Sequence, residues 1–286
     1  MSRYSGHSNL PKLVGLGAAL ALAISVMGYA ALQAYGTRTP DEYGCFDLPR
    51  LRTVVFADVS EPRWNEEQGR SLRRYFDQLY RESLAFNEEL TVFTTAADAV
   101  ASVPTPQFHV CGPATAARQL EDINAEGGAA GYLRKRRERL YDTVLAPELD
   151  TLLSVAPGTA RRQLYQSPIL EMIADLSRSA LTPGGRLIVI SDLLQNSDSA
   201  QFCRKQNEMP AFSVFKQRRV YQRLKPQSFE GIDVEVLMLQ RIGYGQPGLA
   251  FCHSEEELRD FYTAYFLENG AASVQFIRIR DGHTGN

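Results

Sequence analysis

The sequence predicts an α/β protein: a three-layer sandwich with a mainly parallel central sheet and helices on both faces, preceded by a transmembrane helix. Three observations lead there. Within RLIVISDLLQNS (186–197), the run Leu187 to Ser191 is apolar or small with no alternation, as expected of a strand covered on both faces. LRTVVFADVS (51–60) has the same pattern. Between and after them, strand-like and helix-like stretches alternate, which argues for a doubly wound, Rossmann-like sheet. Each of the two runs ends in an acid, Asp192 and Asp58, and Ser60 stands two places beyond the second. If the strands are neighbours, two carboxylates and a hydroxyl meet at the carboxyl edge of the sheet, where open α/β folds place their ligands.

The chain has 286 residues, 44% of them apolar, enough for one large domain or two small ones. A net charge of −2 gives no basic surplus to argue for nucleic acid. The run YLRKRRER (132–139) is rich in arginine but also contains Glu138, and reads as a solvated helix face.

In chain order, residues 1–12 form a polar tail with Arg3 and Lys12 and no acid. Residues 13–35 carry no charge, about the length of a membrane-spanning helix. Tyr29 and Tyr35 lie toward the outer end, where interfacial aromatics are common. Basic residues precede the span, while Arg38, Asp41 and Glu42 mix beyond it. The positive-inside rule then predicts a single-pass protein with a cytoplasmic N-terminus and an exported remainder, periplasmic in a Gram-negative bacterium. A cleaved signal peptide is the rival, with Gly28-Tyr29-Ala30 as a cleavage site, but the apolar run continues past it to Ala34. Residues 36–49 then read as a tether, and 50–286 as the domain.

Within that domain the strand ending at Asp58 leads through Glu61-Pro62 into a helix over 65–84, with Leu72, Tyr75, Phe76, Leu79, Tyr80 and Leu84 at helical spacing. Strands follow at 90–94 and 107–111, and a helix at 132–153. Ser167-Pro168 opens the next helix, with Ser as cap and Pro at the first position. Pro183-Gly184-Gly185 turns the chain into the strand before Asp192. A helix near 211–224, a strand at 233–240, a helix at 255–267 capped by Ser254 and Glu257, and a strand at 273–279 complete it. Trp64 reads as a core or helix-start residue.

The order of these motifs resembles the von Willebrand factor A (vWA) domain. In that family a metal-ion-dependent adhesion site uses Asp-x-Ser-x-Ser, a Thr on a second loop and an Asp on a third. The resemblance covers about residues 50–280 and implies Asp58, Ser60, Ser167 and Asp192 as oxygen ligands for Mg²⁺ or Mn²⁺, with a coordination position left for a partner's carboxylate. Pro62 replaces the second serine and has no side-chain oxygen to offer. Leu193 follows Asp192 where the family often has Gly. The resemblance implies a protein-binding or scaffolding role, with no catalysis and no small-molecule substrate.

Two other functions remain open. An exported, metal-dependent phosphotransferase would use Asp58 as nucleophile, as in haloacid-dehalogenase-like enzymes, but the acid two places on is here Ser60, which cannot protonate a leaving group at neutral pH. A structural subunit with an inactive metal site is the other. Taken alone, Asp58, Ser60 and Ser167 also fit roles as turn and helix caps. The four cysteines, Cys45, Cys111, Cys203 and Cys252, fit one or two disulfides of unknown pairing in an exported domain, or buried free thiols. A zinc site with His109 and His253 lacks the usual Cys-x-x-Cys spacing.

Overall fold

The apolar runs form the centre of one sheet. In the computed structural model, which describes residue 20 and residues 22–28, 36–60, 64–95, 104–154, 166–202, 209–241 and 253–282, the strands are β1 (Arg52–Ala57), β2 (Glu89–Thr94), β3 (Phe108–Cys111), β4 (Arg186–Ser191), β5 (Asp233–Leu239) and β6 (Ser273–Ile279). Their order is β3-β2-β1-β4-β5-β6. Every pairing is parallel except β2 with β3. Strand order therefore reverses between β1 and β4, the switch point at which such sheets open a crevice.

The helices are α1 (Glu66–Gln78), α2 (Ala117–Glu121), α3 (Ala130–Leu140), α4 (Ala146–Leu153), α5 (Ile169–Ser179), α6 (Phe212–Phe215), α7 (Tyr221–Leu224) and α8 (Glu255–Glu268). Side chains alternate across each strand, so one face of the sheet presents Val54, Phe56, Leu187, Val189, Val234 and Val236 to α5, α6, α7 and α8. The other face presents Val55, Ala57, Ile188, Ile190 and Leu237 to α1, the π-helical turn Leu79–Ser83 that extends it, and α4. These are the three layers the alternation predicts.

Sequence and structure agree on α1, whose capping box is formed by Asn65 and Gln68, and on α8, capped by Ser254 and Glu257. The helix expected over 132–153 is interrupted by a π-helical turn at Tyr141–Leu145, and the one near 211–224 is two short helices. Trp64 is buried against the α4 end, its Nε1 donating to the Leu153 carbonyl at 3.4 Å. Gly184, at φ 78°, makes the turn into β4. At Gly185 a Cβ would stand 2.5 Å from the Arg52 carbonyl oxygen, so only glycine lets β4 start there.

Two expectations are corrected. Ser167 does not cap α5: the N-cap position is Pro168, with no side-chain cap bond. The free Leu170 N–H is taken instead by Gln195 Oε1 at 2.8 Å. The segment 36–49, read as a tether, is fastened to the domain. Arg38 N donates to Asn124 O at 2.9 Å, Phe46 N donates to Asn87 Oδ1 at 2.8 Å, and Cys45 is disulfide-bonded to Cys111. Cys203 and Cys252 lie outside the described residues.

Of the predicted membrane span 13–35, only residue 20 and residues 22–28 are described; 22–28 are helical, and Leu20, Leu22, Ile24, Val26 and Met27 are exposed. Among the described residues no helix is long and apolar enough to cross a membrane.

Candidate functional site at the carboxyl edge of the sheet

Asp58 is the first residue after β1, and its N–H still pairs with Ile190 O on β4 at 2.8 Å. That registration brings Asp58 beside Ser191, the last residue of β4, on the face covered by α5. Ser191 Oγ donates to Asp58 Oδ2 at 3.0 Å, and Ser167 Oγ, from the approach to α5, donates to the same oxygen at 2.5 Å. Ser60 N donates to Asp58 Oδ1 at 3.1 Å. One carboxylate thus gathers three of the polar groups at the switch point. Ser167 is fixed there by a pair of backbone bonds with Asn196, at 2.7 and 2.9 Å.

The carboxylate is 5% exposed. Burial pushes its pKa above the ordinary carboxylate range, the nearby Asp192 charge adds to the rise, and hydrogen bonds from Ser167 and Ser60 oppose it. A serine hydroxyl has one proton, and once that proton is given to Asp58 its lone pairs are left for another donor or a hard cation. Asp58 Oδ2 accepts two hydrogen bonds and is filled.

Asp192 follows β4 directly. Its Oδ1 accepts Leu194 N at 3.0 Å, and its Oδ2 meets Arg241 Nε at 3.1 Å. Arg241 lies just past β5, the next strand in the sheet, so a guanidinium reaches the edge from the neighbouring strand. A recess of about 10 Å³ lies among Asp192, Arg241, His253 and Glu255, room for about one water.

Directly after Asp192 the backbone is strained: Leu193 is in the left-handed region at φ 65° and fully buried. Its N–H is held by Ser191 Oγ at 2.9 Å. Beyond it, Gln195 Nε2 donates to Glu171 Oε2 and to Ser197 Oγ, each at 2.8 Å, and Ser197 Oγ donates to Glu171 Oε1 at 2.5 Å. Among the described residues, the Tyr262 hydroxyl of α8 is buried with no hydrogen-bond partner. Its pKa is raised well above 10, by burial first and then by Tyr265, Asp192, Glu171 and Asp58.

Of the four residues the sequence nominates, Asp58, Ser60 and Ser167 are joined by hydrogen bonds, and Asp192 stands beside them in ion pair with Arg241. Pro62 lies outside the described residues. The sequence reading missed Ser191, Gln195 and Arg241. Ser191 was legible as a hydroxyl ending an apolar run; Arg241 was not, because it meets Asp192 only through β5 lying next to β4. Among the described residues, the acid, cysteine and histidine ligands close enough to share a metal are Asp41, Cys45 and His109, and the Cys45 sulfur is spent in its disulfide. An ion at the sheet edge therefore relies on hydroxyl oxygens. The Ser60 and Ser167 hydroxyls beside a carboxylate suit Mg²⁺ or Mn²⁺; Asp192 joins them only by giving up Arg241.

No protein-family model and no curated protein matches the chain. Solved structures do. It is similar to the ArnB paralog VWA2 from Sulfolobus acidocaldarius at 10% identity, covering 68% of this chain and 36% of that one, with a TM-score of 0.29. It is also similar to an aerotolerance-related membrane protein from Bacteroides fragilis NCTC 9343 at 13% identity, covering 79% of this chain and 91% of that one, with a TM-score of 0.33. These likenesses are loose. Strand order, register and the two-sided core define the chain as a doubly wound α/β protein with a polar site at its switch point.

Proposed function

We propose that the chain is a membrane-anchored, vWA-like protein-binding domain that scaffolds an assembly, with the carboxyl edge at Asp58, Ser60, Ser167 and Asp192 as its contact surface. The observation supporting this most strongly is the convergence of the Ser167 and Ser191 hydroxyls on buried Asp58. It holds hydroxyl oxygens in fixed positions at the carboxyl edge of the sheet, beside the switch point. Bound there, Mg²⁺ or Mn²⁺ would supply a Lewis-acidic position for a partner's carboxylate. The chain's own part is to orient the hydroxyls through Asp58 and to release Asp192 from Arg241. The apolar run at 13–35 is the anchor, with the N-terminus cytoplasmic and the domain exported. The Cys45–Cys111 disulfide supports an oxidising compartment.

A second reading, a structural subunit that works without metal, is favoured by the Asp192–Arg241 ion pair. Titration of Mg²⁺ and Mn²⁺ into the detergent-solubilised full chain, following its thermal midpoint, separates the two. A ligand that binds only the folded state stabilises it by about 2.7 kcal/mol at a hundredfold excess over its dissociation constant. A shift in wild type that disappears in Asp192→Ala supports the metal-dependent surface. No shift leaves the metal-free subunit.

A further inference from the structure

The first described residues after the apolar run and the basic helix α3 enclose one groove. We infer that this groove docks the headgroup of an anionic phospholipid from the bilayer that holds the chain's own anchor, an inference that rests on the anchored reading. Gly36 follows Tyr35, the last residue of the apolar run, and its carbonyl accepts a hydrogen bond from Asn124 Nδ2 at 2.6 Å. Arg38 then pairs with Ala125 in a parallel bridge. A single residue spans about 3.5 Å, so no slack separates the end of the apolar run from the domain. The polar layer on each side of a bilayer is about 6 Å thick, so the anchor brings this face of the domain against the headgroups.

The groove encloses about 490 Å³, within the range of small-ligand sites. Its floor is apolar, with Phe46, Leu120, Leu133 and Leu140, and its rim carries Arg38, Lys135, Arg136 and Arg139. Among the described residues, Lys135, Arg136 and Arg139 make no side-chain ion pair or hydrogen bond. Arg38 spends one nitrogen on the Asp47 carbonyl at 3.4 Å. Three acids also line the groove: Asp41, Glu42 and Glu126. Asp41 is committed, its Oδ1 accepting the N–H groups of Tyr43 and Cys45 at 3.0 and 2.8 Å.

Those acids leave a bare anion little net attraction. An amphiphile gains more, because its phosphate meets a guanidinium fork while its glycerol and first methylenes cover the apolar floor. Tyr132, 55% exposed at the groove's edge, has the amphipathic ring favoured at membrane interfaces. The arginine run is therefore not only a solvated face.

The test uses the full chain in detergent, following its thermal midpoint as phosphatidylglycerol, phosphatidylcholine or inorganic phosphate is added, for wild type and for Lys135→Gln/Arg136→Gln/Arg139→Gln. These surface positions tolerate glutamine, and equal unliganded midpoints show that the variant folds. Phosphatidylglycerol is expected to raise the wild-type midpoint where the other two do not. Each basic residue near an anionic surface contributes about fivefold in affinity, so the triple variant is expected to bind about a hundredfold more weakly, and Arg136→Gln alone about fivefold. Equal response to the two lipids, an unchanged response in the triple variant, or the same shift with inorganic phosphate overturns the inference. Alkaline carbonate extraction of membranes separates this outcome from the anchor itself. A chain that resists extraction but ignores phosphatidylglycerol keeps its anchor and loses the groove; a released chain that still responds to the lipid loses the anchor and keeps the groove.

Discussion

Arg241 Nε stands 3.1 Å from Asp192 Oδ2, so the acid nominated for a divalent ion already holds a cation from its own chain. The two side chains are 16% and 25% exposed, which leaves the pair only partly screened by water. Metal and guanidinium then compete for the same oxygen. Arg241→Gln is expected to strengthen Mg²⁺ binding about tenfold, the equivalent of about 1.4 kcal/mol. It also lowers metal-free stability by about 1–3 kcal/mol, because it strands a half-buried carboxylate. Calorimetric titration with Mg²⁺ beside denaturant unfolding reads both effects. An unchanged or weaker metal affinity would show that Arg241 does not compete.

Ser167 is a donor to Asp58 rather than a helix cap, and a double-mutant cycle distinguishes the roles. A hydrogen bond to a charged group contributes about 1.5–3 kcal/mol, so Ser167→Ala is expected to cost that much with Asp58 present. With Asp58→Asn in place the cost falls, giving a coupling of about 1 kcal/mol or more. Additive effects in urea unfolding would return Ser167 to the capping role.

Leu193 has a large apolar side chain where the backbone favours glycine. Left-handed geometry costs a non-glycine residue about 1–3 kcal/mol, offset here by complete burial among the α5 and α8 side chains. Both Leu193→Ala and Leu193→Gly lose that burial, but only glycine relieves the backbone. The usual order is therefore inverted, with Leu193→Gly more stable than Leu193→Ala by about 1 kcal/mol. Ordinary ranking of the two in thermal unfolding would mean that the loop relaxes when the side chain is removed.

The doubly wound sheet was legible because its central strands are buried on both faces, and such strands read as unbroken apolar runs. Val54–Ala57 and Leu187–Ile190 announce themselves in that way, and Asp58 and Asp192 are conspicuous as charges directly behind them. The sense of β3 was not legible, since Phe108–Cys111 carries the same apolar signal whichever way it runs. Arg241 was hidden for a different reason. Its partner is 49 residues away, and their meeting depends on β5 lying next to β4, a fact of topology rather than pattern. Ser167 misled because Ser-Pro before an amphipathic run is an ordinary helix start, and only Gln195, from another loop, shows the capping bond already taken.

Glu89 gives the chain a pH dependence away from the site. Burial acts to raise its pKa, but the Thr91 hydroxyl and the charges of Arg50 and Arg52 outweigh that and hold it below 4.5. Arg50 Nε lies 2.7 Å from Glu89 Oε2. A carboxyl with a depressed folded-state pKa contributes stability that is present above its unfolded value and lost as pH falls through the folded one. Wild type is therefore expected to lose stability below about pH 4.5 more steeply than Glu89→Gln, while the variant is less stable at pH 7 by about 1–2 kcal/mol. Parallel stability curves for the two proteins would remove Glu89 as a source of the acid loss.

The Cys45–Cys111 disulfide closes a loop with a sequence separation of 66 residues and ties the segment after the apolar run to the end of β3. A closure of that length removes conformational entropy from the unfolded chain worth about 4 kcal/mol. The native contacts around it add to the effect: Cys111 N donates to Tyr43 O at 3.0 Å, and Phe46 packs with Leu120 and Leu133. A fragment beginning at residue 46 discards the bridge and the strap together, although it retains every strand. It is expected to unfold at markedly lower denaturant than the full chain, and Cys45→Ser is expected to cost about 4 kcal/mol. The variant separates the bridge from the strap, because it keeps residues 36–44 in place. If Cys45→Ser matches the fragment, the bridge alone fastens the segment; if the fragment is weaker still, the hydrogen bonds of Arg38 and Asp41 contribute their own share. Wild-type stability in both would mean that the sheet holds without its strap, and the end of the anchor would then be free to swing away from the groove beside α3.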